Sequence, residues 1–187
     1  MRPKSTRCFV AVDLPDEMRD PIRQIQKEID LPSVRLVMAD LVHITLKFLG
    51  DVPDSGLDGV VSALQTVTAE PFGCKIRGVG SFPKRSIRVV WIGAEGEFAL
   101  LQGSIEKALS KLGFEREKRK FTAHATIARV RDPSSETTRV LSSKIERFAD
   151  VELGEFFVYH FLLKKSTLTP GGPIYEDLAK FPLRASS

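Results

Sequence analysis

The chain has three histidines, and two of them stand in the same local setting. The first lies in Val42-His43-Ile44-Thr45-Leu46-Lys47-Phe48-Leu49-Gly50, the second in Phe121-Thr122-Ala123-His124-Ala125-Thr126-Ile127-Ala128-Arg129. Each reads as His-x-Thr inside a strand, where alternate side chains share a face. His43 and Thr45 then point one way and Ile44 and Leu46 the other. The same split separates His124 and Thr126 from Ala125 and Ile127. With ten threonines in 187 residues, a histidine has Thr two places on about 5% of the time, and two hits among three arise by chance about 1% of the time. Two imidazoles across a groove supply one base and one acid near neutral pH. Two hydroxyls beside them donate to an anionic oxygen. This is equipment for phosphoester chemistry without a metal: one His takes a proton from water or a hydroxyl, the other protonates the leaving oxygen, and the threonines hold the non-bridging oxygens.

Competing chemistries lack their signatures. There is no H-E-x-x-H, no His-x-His and no cysteine pair at ligand spacing, so no metal site is expected from local motifs. G-x-x-x-x-G-K-[ST], G-x-G-x-x-G and G-x-S-x-G are also missing, and no cofactor is called for. Cys8 and Cys74 are too few for a disulfide framework and read as small core residues.

The elements that must position the motifs follow from composition and periodicity. Hydrophobic residues make up 42% and charged residues 28%, the balance of a globular chain that buries a real core. The net charge of +4 suits an anionic ligand without requiring one. No apolar run approaches the roughly 20 residues of a membrane span. The basic start Met1 to Arg7 is followed by too short an apolar run (Cys8 to Val12) for a signal peptide, so a cytoplasmic protein without membrane partners is expected. Strands are expected at Arg7 to Leu14, Val34 to Val37, Leu41 to Leu49 (closed by Gly50-Asp51), about 72–79, 86–93, Phe121 to Val130, Glu155 to Leu163 and 173–183. Helical spacing marks 16–30, Leu57 to Val67, Phe98 to Leu112 and a stretch after Asp132-Pro133, with Asp132 as its cap. No linker divides the chain, and several strands are neighbours without a helix between them, which favours α+β with antiparallel sheets.

At these residues the chain resembles the two-histidine phosphoesterase superfamily, specifically the LigT-like RNA 2′,3′-cyclic phosphodiesterases, formerly called 2′-5′ RNA ligases. The motifs at 43–46 and 124–127 carry the resemblance. Arg7 to Val12 with Leu14-Pro15, Phe82-Pro83, Arg88 to Gly93, and Ser166, Gly171 and Tyr175 extend it through nearly the whole chain. It departs from the family pattern at Ala123, usually Pro, and at Ala125, usually a larger aliphatic residue; neither change removes a chemical group. The resemblance implies one bilobal domain over 1–187, with two pseudo-symmetric lobes. Each lobe is an antiparallel sheet with helices on one face, and each offers one His-x-Thr strand to a central cleft. It further implies opening of a 2′,3′-cyclic phosphate at an RNA end, or on a small cyclic nucleotide, to a 2′-phosphate. His43 is then the proton donor and His124 the proton acceptor. The same groups serve the reverse joining of a 2′ end to a 5′-hydroxyl, or another cyclic-nucleotide or oligoadenylate linkage; an RNA-end-binding module without catalysis is the alternative from a different class. A monomer is expected, since one chain holds both motifs.

The resemblance also implies substrate contacts at Arg129, Phe48, Phe9 and Tyr175. Strand parity argues against two of them. Arg129, five residues beyond His124, is turned away unless a bulge intervenes. Phe48 shares the parity of Ile44 and Leu46, which predicts core packing. His160 has Leu two places on and reads as structural. The run Glu115 to Lys120, and Arg77, Lys84, Arg85 and Arg88, read first as solvated charge and second as contacts to an RNA backbone.

Overall fold

The computed structural model describes residues 4–184; Met1, Arg2 and Pro3 of the basic start lie outside the described residues. Nine strands and four α-helices follow one another along the described residues. They are β1 (Ser5–Asp13), α1 (Arg19–Ile29), β2 (Val34–Leu36), β3 (His43–Pro53), α2 (Leu57–Gln65), β4 (Phe72–Phe82), β5 (Val89–Glu95), α3 (Phe98–Ser110), β6 (His124–Val130), α4 (Ser135–Glu146), β7 (Glu152–Val158), β8 (His160–Thr169) and β9 (Gly172–Pro182). Every strand pairing is antiparallel, in the order β7-β4-β5-β6-β3-β1-β8-β9, with β2 added on β6. The α+β class and its antiparallel sheet are as expected.

The sheet has a narrow waist. β3 and β6, the two motif strands, pair only at Ile44 and Ala125. On one side lie β3-β1-β8-β9, on the other β6-β5-β4-β7. The halves exchange strands: β4 follows α2 of the first half but pairs with β5, and β8 follows the second half but pairs with β1. The β3 half is therefore built from both ends of the chain, and the strands β6-β5-β4-β7 from its middle, residues 72–158. Arg35 on β2 adds a further tie across the waist, donating to the Gly171 carbonyl at 2.7 Å in the turn between β8 and β9.

Alternation buries one face of each motif strand against the helices. Ile44, Ala125 and Ile127 are fully buried and Leu46 nearly so, in a core shared with Ile22 and Ile29 of α1 and Leu101 and Ile105 of α3. Cys8 and Cys74 are buried there as free thiols, and burial pushes Cys74 up to about 12. No helix among the described residues is long and apolar enough to cross a membrane.

Several boundaries differ from the sequence expectation. The run 155–163 is two strands, broken at exposed Tyr159, because β7 belongs beside β4 and β8 beside β1 at opposite sides of the waist; apolar composition carries no mark of that crossing. β3 does not close at Gly50 but runs on to Pro53. Gly50 has φ +71° and sits where the β1 pairing shifts register between Cys8 and Phe9, a bulge position that only glycine adopts without strain. The cap of α4 is Ser134, whose hydroxyl accepts from the Thr137 N–H at 3.1 Å, and not Asp132. A 3₁₀ turn, Asp16–Met18, precedes α1.

Candidate active site

Both motif strands begin at the histidine itself. Before β3 a 3₁₀ turn, Ala39–Leu41, bends the chain, and the His43 Nδ1–H donates to the Leu41 carbonyl at 2.8 Å. Before β6 the chain is irregular, and the His124 Nδ1–H donates to the Thr122 carbonyl, also at 2.8 Å. A carbonyl only accepts, so each bond fixes the proton on Nδ1 and leaves Nε2 as the reactive nitrogen. The antiparallel match of Ile44 with Ala125 carries Thr45 beside His124 and His43 beside Thr126, one residue to either side. The waist thus brings all four motif side chains together, and all four are half-buried.

Paired bulges complete the cleft and reverse the parity argument. Between Val10 and Ala11 the β1–β3 register shifts, so Lys47 pairs with Val10 and Thr45 with Ala11. The added residue buries both Leu46 and Lys47 and returns Phe48 to the His43 face, where it is 72% exposed. Core packing of Phe48 is therefore corrected. In β6 the register shifts between Val90 and Trp91. Ile127 and Ala128 are both buried, and Arg129 returns to the face of His124 and Thr126. Phe48 and Arg129 each stand five residues beyond their histidine, so they are equivalent positions of the two repeats. Buried polar groups hold both bulges. Gln26 of α1 donates to the carbonyls of Ile127 at 2.8 Å and Val37 at 2.6 Å, and Lys47 reaches Glu106 of α3 at 2.9 Å. Neither Gln26 nor Lys47 is legible as a site support from its neighbours in sequence.

An aromatic wall backs each histidine. The Phe9 ring lies 4.9 Å from His43 and 5.1 Å from Tyr175, and Tyr175 meets His43 edge-on at 5.2 Å. Phe9 is 4% exposed, so it supports the imidazole from behind, and Tyr175 and Phe48 present the accessible rings. On the other side Phe82 stacks on Trp91 at 5.1 Å and meets His124 edge-on at 5.4 Å. The Trp91 ring lies across Gly80, where a Cβ would fall 2.2 Å from it. Sequence reading missed Trp91 and Phe82 as site residues; the signal was Gly80 paired opposite Trp91.

Beside His43 is a hollow of about 290 Å³ lined by Asp13, Asp40, Tyr175, Lys164 and Asp177. Lys164 is buried and ion-paired to Asp13 at 2.6 Å and Asp177 at 2.7 Å. Burial lowers the His43 pKa, opposed by the Leu41 carbonyl and Asp13 and assisted by Lys164 and Arg129. Burial raises Tyr175, with Arg129 and Lys164 opposing. Arg129 thus acts across the waist on residues of the other half. His160 lies outside this group, lowered by burial. Among the described residues no group of three or more His, Cys, Asp or Glu is arranged to hold a metal ion.

The His43 shift is measurable. Its imidazole Cε1 proton is expected to titrate by NMR below the ordinary histidine value in the free protein, and to move upward when a nucleoside 2′-phosphate binds, since the anion favours imidazolium. A midpoint unmoved by the ligand would place the phosphate elsewhere. The unfolded chain takes up this proton first, so stability is lost as pH falls from the ordinary value toward the lowered one.

A family model described as LigT like Phosphoesterase matches residues 12–91 and again 92–175. An RNA 2′,3′-cyclic phosphodiesterase of Archaeoglobus fulgidus is 42% identical over 179 residues, covering 94% of this chain and 99% of that protein. One from Methanocaldococcus jannaschii is 37% identical over 177 residues, with 94% and 99% covered. The crystal structure of TT0787 of Thermus thermophilus superposes with a TM-score of 0.82 at 30% identity, covering 97% of this chain and all of that one. Escherichia coli LigT complexed with 3′-AMP shares the fold, with a TM-score of 0.78 at 23% identity over 96% and 99% of the two chains.

Proposed function

The chain belongs to the LigT-like phosphoesterase family, and from that premise we propose that it opens the 2′,3′-cyclic phosphate at an RNA end, leaving a 2′-phosphate, by acid–base catalysis with two histidines and no metal. Relatives that match nearly end to end carry the name RNA 2′,3′-cyclic phosphodiesterase. The observation that carries the mechanism is the waist: one pairing of Ile44 with Ala125 sets two imidazoles and two threonines side by side, each imidazole with its Nδ1 proton committed to a carbonyl.

In this reading water attacks phosphorus. His124 Nε2 takes the water proton as the new P–O bond forms, the bond to the 3′ oxygen breaks, and His43 Nε2–H protonates that oxygen. The Thr45 and Thr126 hydroxyls donate to the non-bridging oxygens, and Arg129 adds positive charge where the transition state gains negative charge. A bound phosphate offsets the burial that favours neutral His43, so the acid is protonated when needed. The carboxylates of the hollow repel an anion, which directs the phosphate toward Arg129 and leaves the hollow to uncharged parts of the nucleotide. Phe48 and Tyr175 suit stacking with an unpaired base. Residues 1–187 act as one bilobal domain, and a monomer suffices.

The test is turnover, in excess EDTA, of a short RNA ending in a 2′,3′-cyclic phosphate, with the product phosphate located by NMR. A 2′-phosphate formed at an undiminished rate is the expected result. Loss of turnover in EDTA, restored by a divalent cation, would overturn the metal-free mechanism. A 3′-phosphate product would reverse the leaving oxygen.

A further inference from the structure

We infer that the loop from Glu115 to Lys120 is a landing site for the phosphodiester backbone of single-stranded RNA upstream of its cyclic phosphate, held beside the cleft by a buried Lys47–Glu106 pair. This rests on the RNA-end reading above and extends it from the terminal nucleotide to the strand behind it.

Three observations carry the inference. The first is place. The loop lies between α3 and the start of β6, and it is tied to β3, the strand that carries His43, Thr45 and Phe48. The Lys47 Nζ, one residue from Phe48, donates to the Glu115 carbonyl at 2.7 Å.

The second is anchoring. Lys47 is 8% and Glu106 6% exposed, and the ammonium bonds both carboxylate oxygens at 2.9 Å. Oε1 of Glu106 also accepts from Gln102 Nε2 at 3.0 Å and from the Glu117 N–H at 3.4 Å. One buried pair thus grips the loop at a carbonyl and an N–H, while the Glu117 carboxylate accepts the Arg119 N–H at 3.0 Å. Desolvating two charges is costly, and an apolar pair of the same volume holds a core as well or better. What the charged pair adds is a fixed loop backbone.

The third is what that backbone presents. Arg116, Lys118, Arg119 and Lys120 are all exposed, and among the described residues none forms an ion pair. Against the carboxylates of Glu115 and Glu117, Glu117 lying within electrostatic reach of Arg119, the loop keeps a net charge of +2, and a linear polyanion that binds it gains by releasing its own counterions.

The experiment compares a nucleoside 2′,3′-cyclic monophosphate with a short oligoribonucleotide ending in the same group, across a salt series. Wild type is expected to favour the oligonucleotide, increasingly so at low salt. The variant Lys118→Ala/Arg119→Ala/Lys120→Ala is expected to raise the oligonucleotide KM about tenfold at low salt. Its slope of log kcat/KM against log salt should be shallower by about 2, near 0.7 per lost phosphate contact, with the mononucleotide kinetics held. Lys47→Met/Glu106→Leu, which removes the anchor and leaves no unpaired buried charge, is expected to shift the oligonucleotide KM in the same direction with its four loop cations intact. Equal effects on both substrates, or an unchanged salt slope, would overturn the landing site; an unchanged oligonucleotide KM in the double variant would overturn the anchor. Fluorescence anisotropy of an oligoribonucleotide ending in a 2′-phosphate separates the two readings. If wild type turns over neither substrate, the function reading fails. Salt-dependent anisotropy that the triple variant loses then still supports the loop, and equal anisotropy ends it.

Discussion

Replacing His43 or His124 by alanine is expected to lower kcat on an RNA 2′,3′-cyclic phosphate about 10²–10⁴-fold in each case, roughly 3–5 kcal/mol of transition-state stabilisation. In the proposed mechanism both protons move in one displacement, so the double variant should lose little beyond either single one. The residual activities distinguish the roles. With only the proton donor left, as in His124→Ala, activity depends on a protonated imidazole and falls as pH rises. With only the acceptor left, as in His43→Ala, it depends on a neutral imidazole and rises with pH. The opposite pair of profiles would exchange the assignments, and variants that retain full turnover would remove both histidines from the chemistry. Thr45→Val and Thr126→Val belong to the same series. Each deletes one proposed donor to the non-bridging oxygens, with an expected loss of about 10²-fold and no change in the shape of the pH profile. Affinity for a nucleoside 2′-phosphate, followed by calorimetry, should survive in the alanine variants, which separates lost chemistry from a collapsed cleft.

The motifs themselves were legible because strand alternation is a local rule: His43 with Thr45, and His124 with Thr126, share a face whatever the rest of the chain does. Helices were legible for the same reason, as with Ile22, Ile25 and Ile29 on the buried side of α1. What failed were features set by partners distant in sequence. One added residue at Leu46–Lys47 and one at Ile127–Ala128 invert the parity of everything after them. Neither bulge has a glycine to betray it, since each is stabilised by a side chain from a helix packed beneath. Arg129 was reachable only by allowing for such a bulge, and Phe48 came out on the wrong face for want of one. Lys47 shows the same inversion from the other side: alternation assigns it to the cleft with His43 and Thr45, whereas the bulge sends it into the core. The break at Tyr159 was hidden because β7 and β8 are both apolar, and composition cannot say that one pairs with Phe72–Arg77 and the other with Cys8–Ala11. Trp91 needed Gly80, a residue whose contribution is the side chain it lacks.

Lys47→Met alone is expected to cost about 3–5 kcal/mol of folding stability at neutral pH, lowering Tm by roughly 10 °C or more for a chain of this size. The cause is not the lost attraction as such. Glu106 keeps only the Gln102 and Glu117 N–H donors and remains a carboxylate in a site 6% exposed, where an uncompensated charge is strongly disfavoured. Acidification should recover part of the loss, because the stranded carboxyl takes up a proton more readily when folded than when unfolded. Lys47→Met/Glu106→Leu should come back to wild-type stability or exceed it by about 1–4 kcal/mol, since methionine and leucine of similar volume pack without a desolvation penalty. Urea melts of the four proteins close a double-mutant cycle, and the strong non-additivity expected between residues in direct contact is its readout. A pair whose single variants each fall within about 0.5 kcal/mol of wild type, the range of ordinary surface changes, would not be buried as described. Hydrogen exchange then separates stability from anchoring in the double variant. A repacked core restores the global transition, yet the Glu117 N–H has lost its carboxylate acceptor and the Glu115 carbonyl its ammonium donor. The loop amides should therefore exchange faster while those of β3 and α3 keep their protection, which leaves a stable fold with a loosened loop.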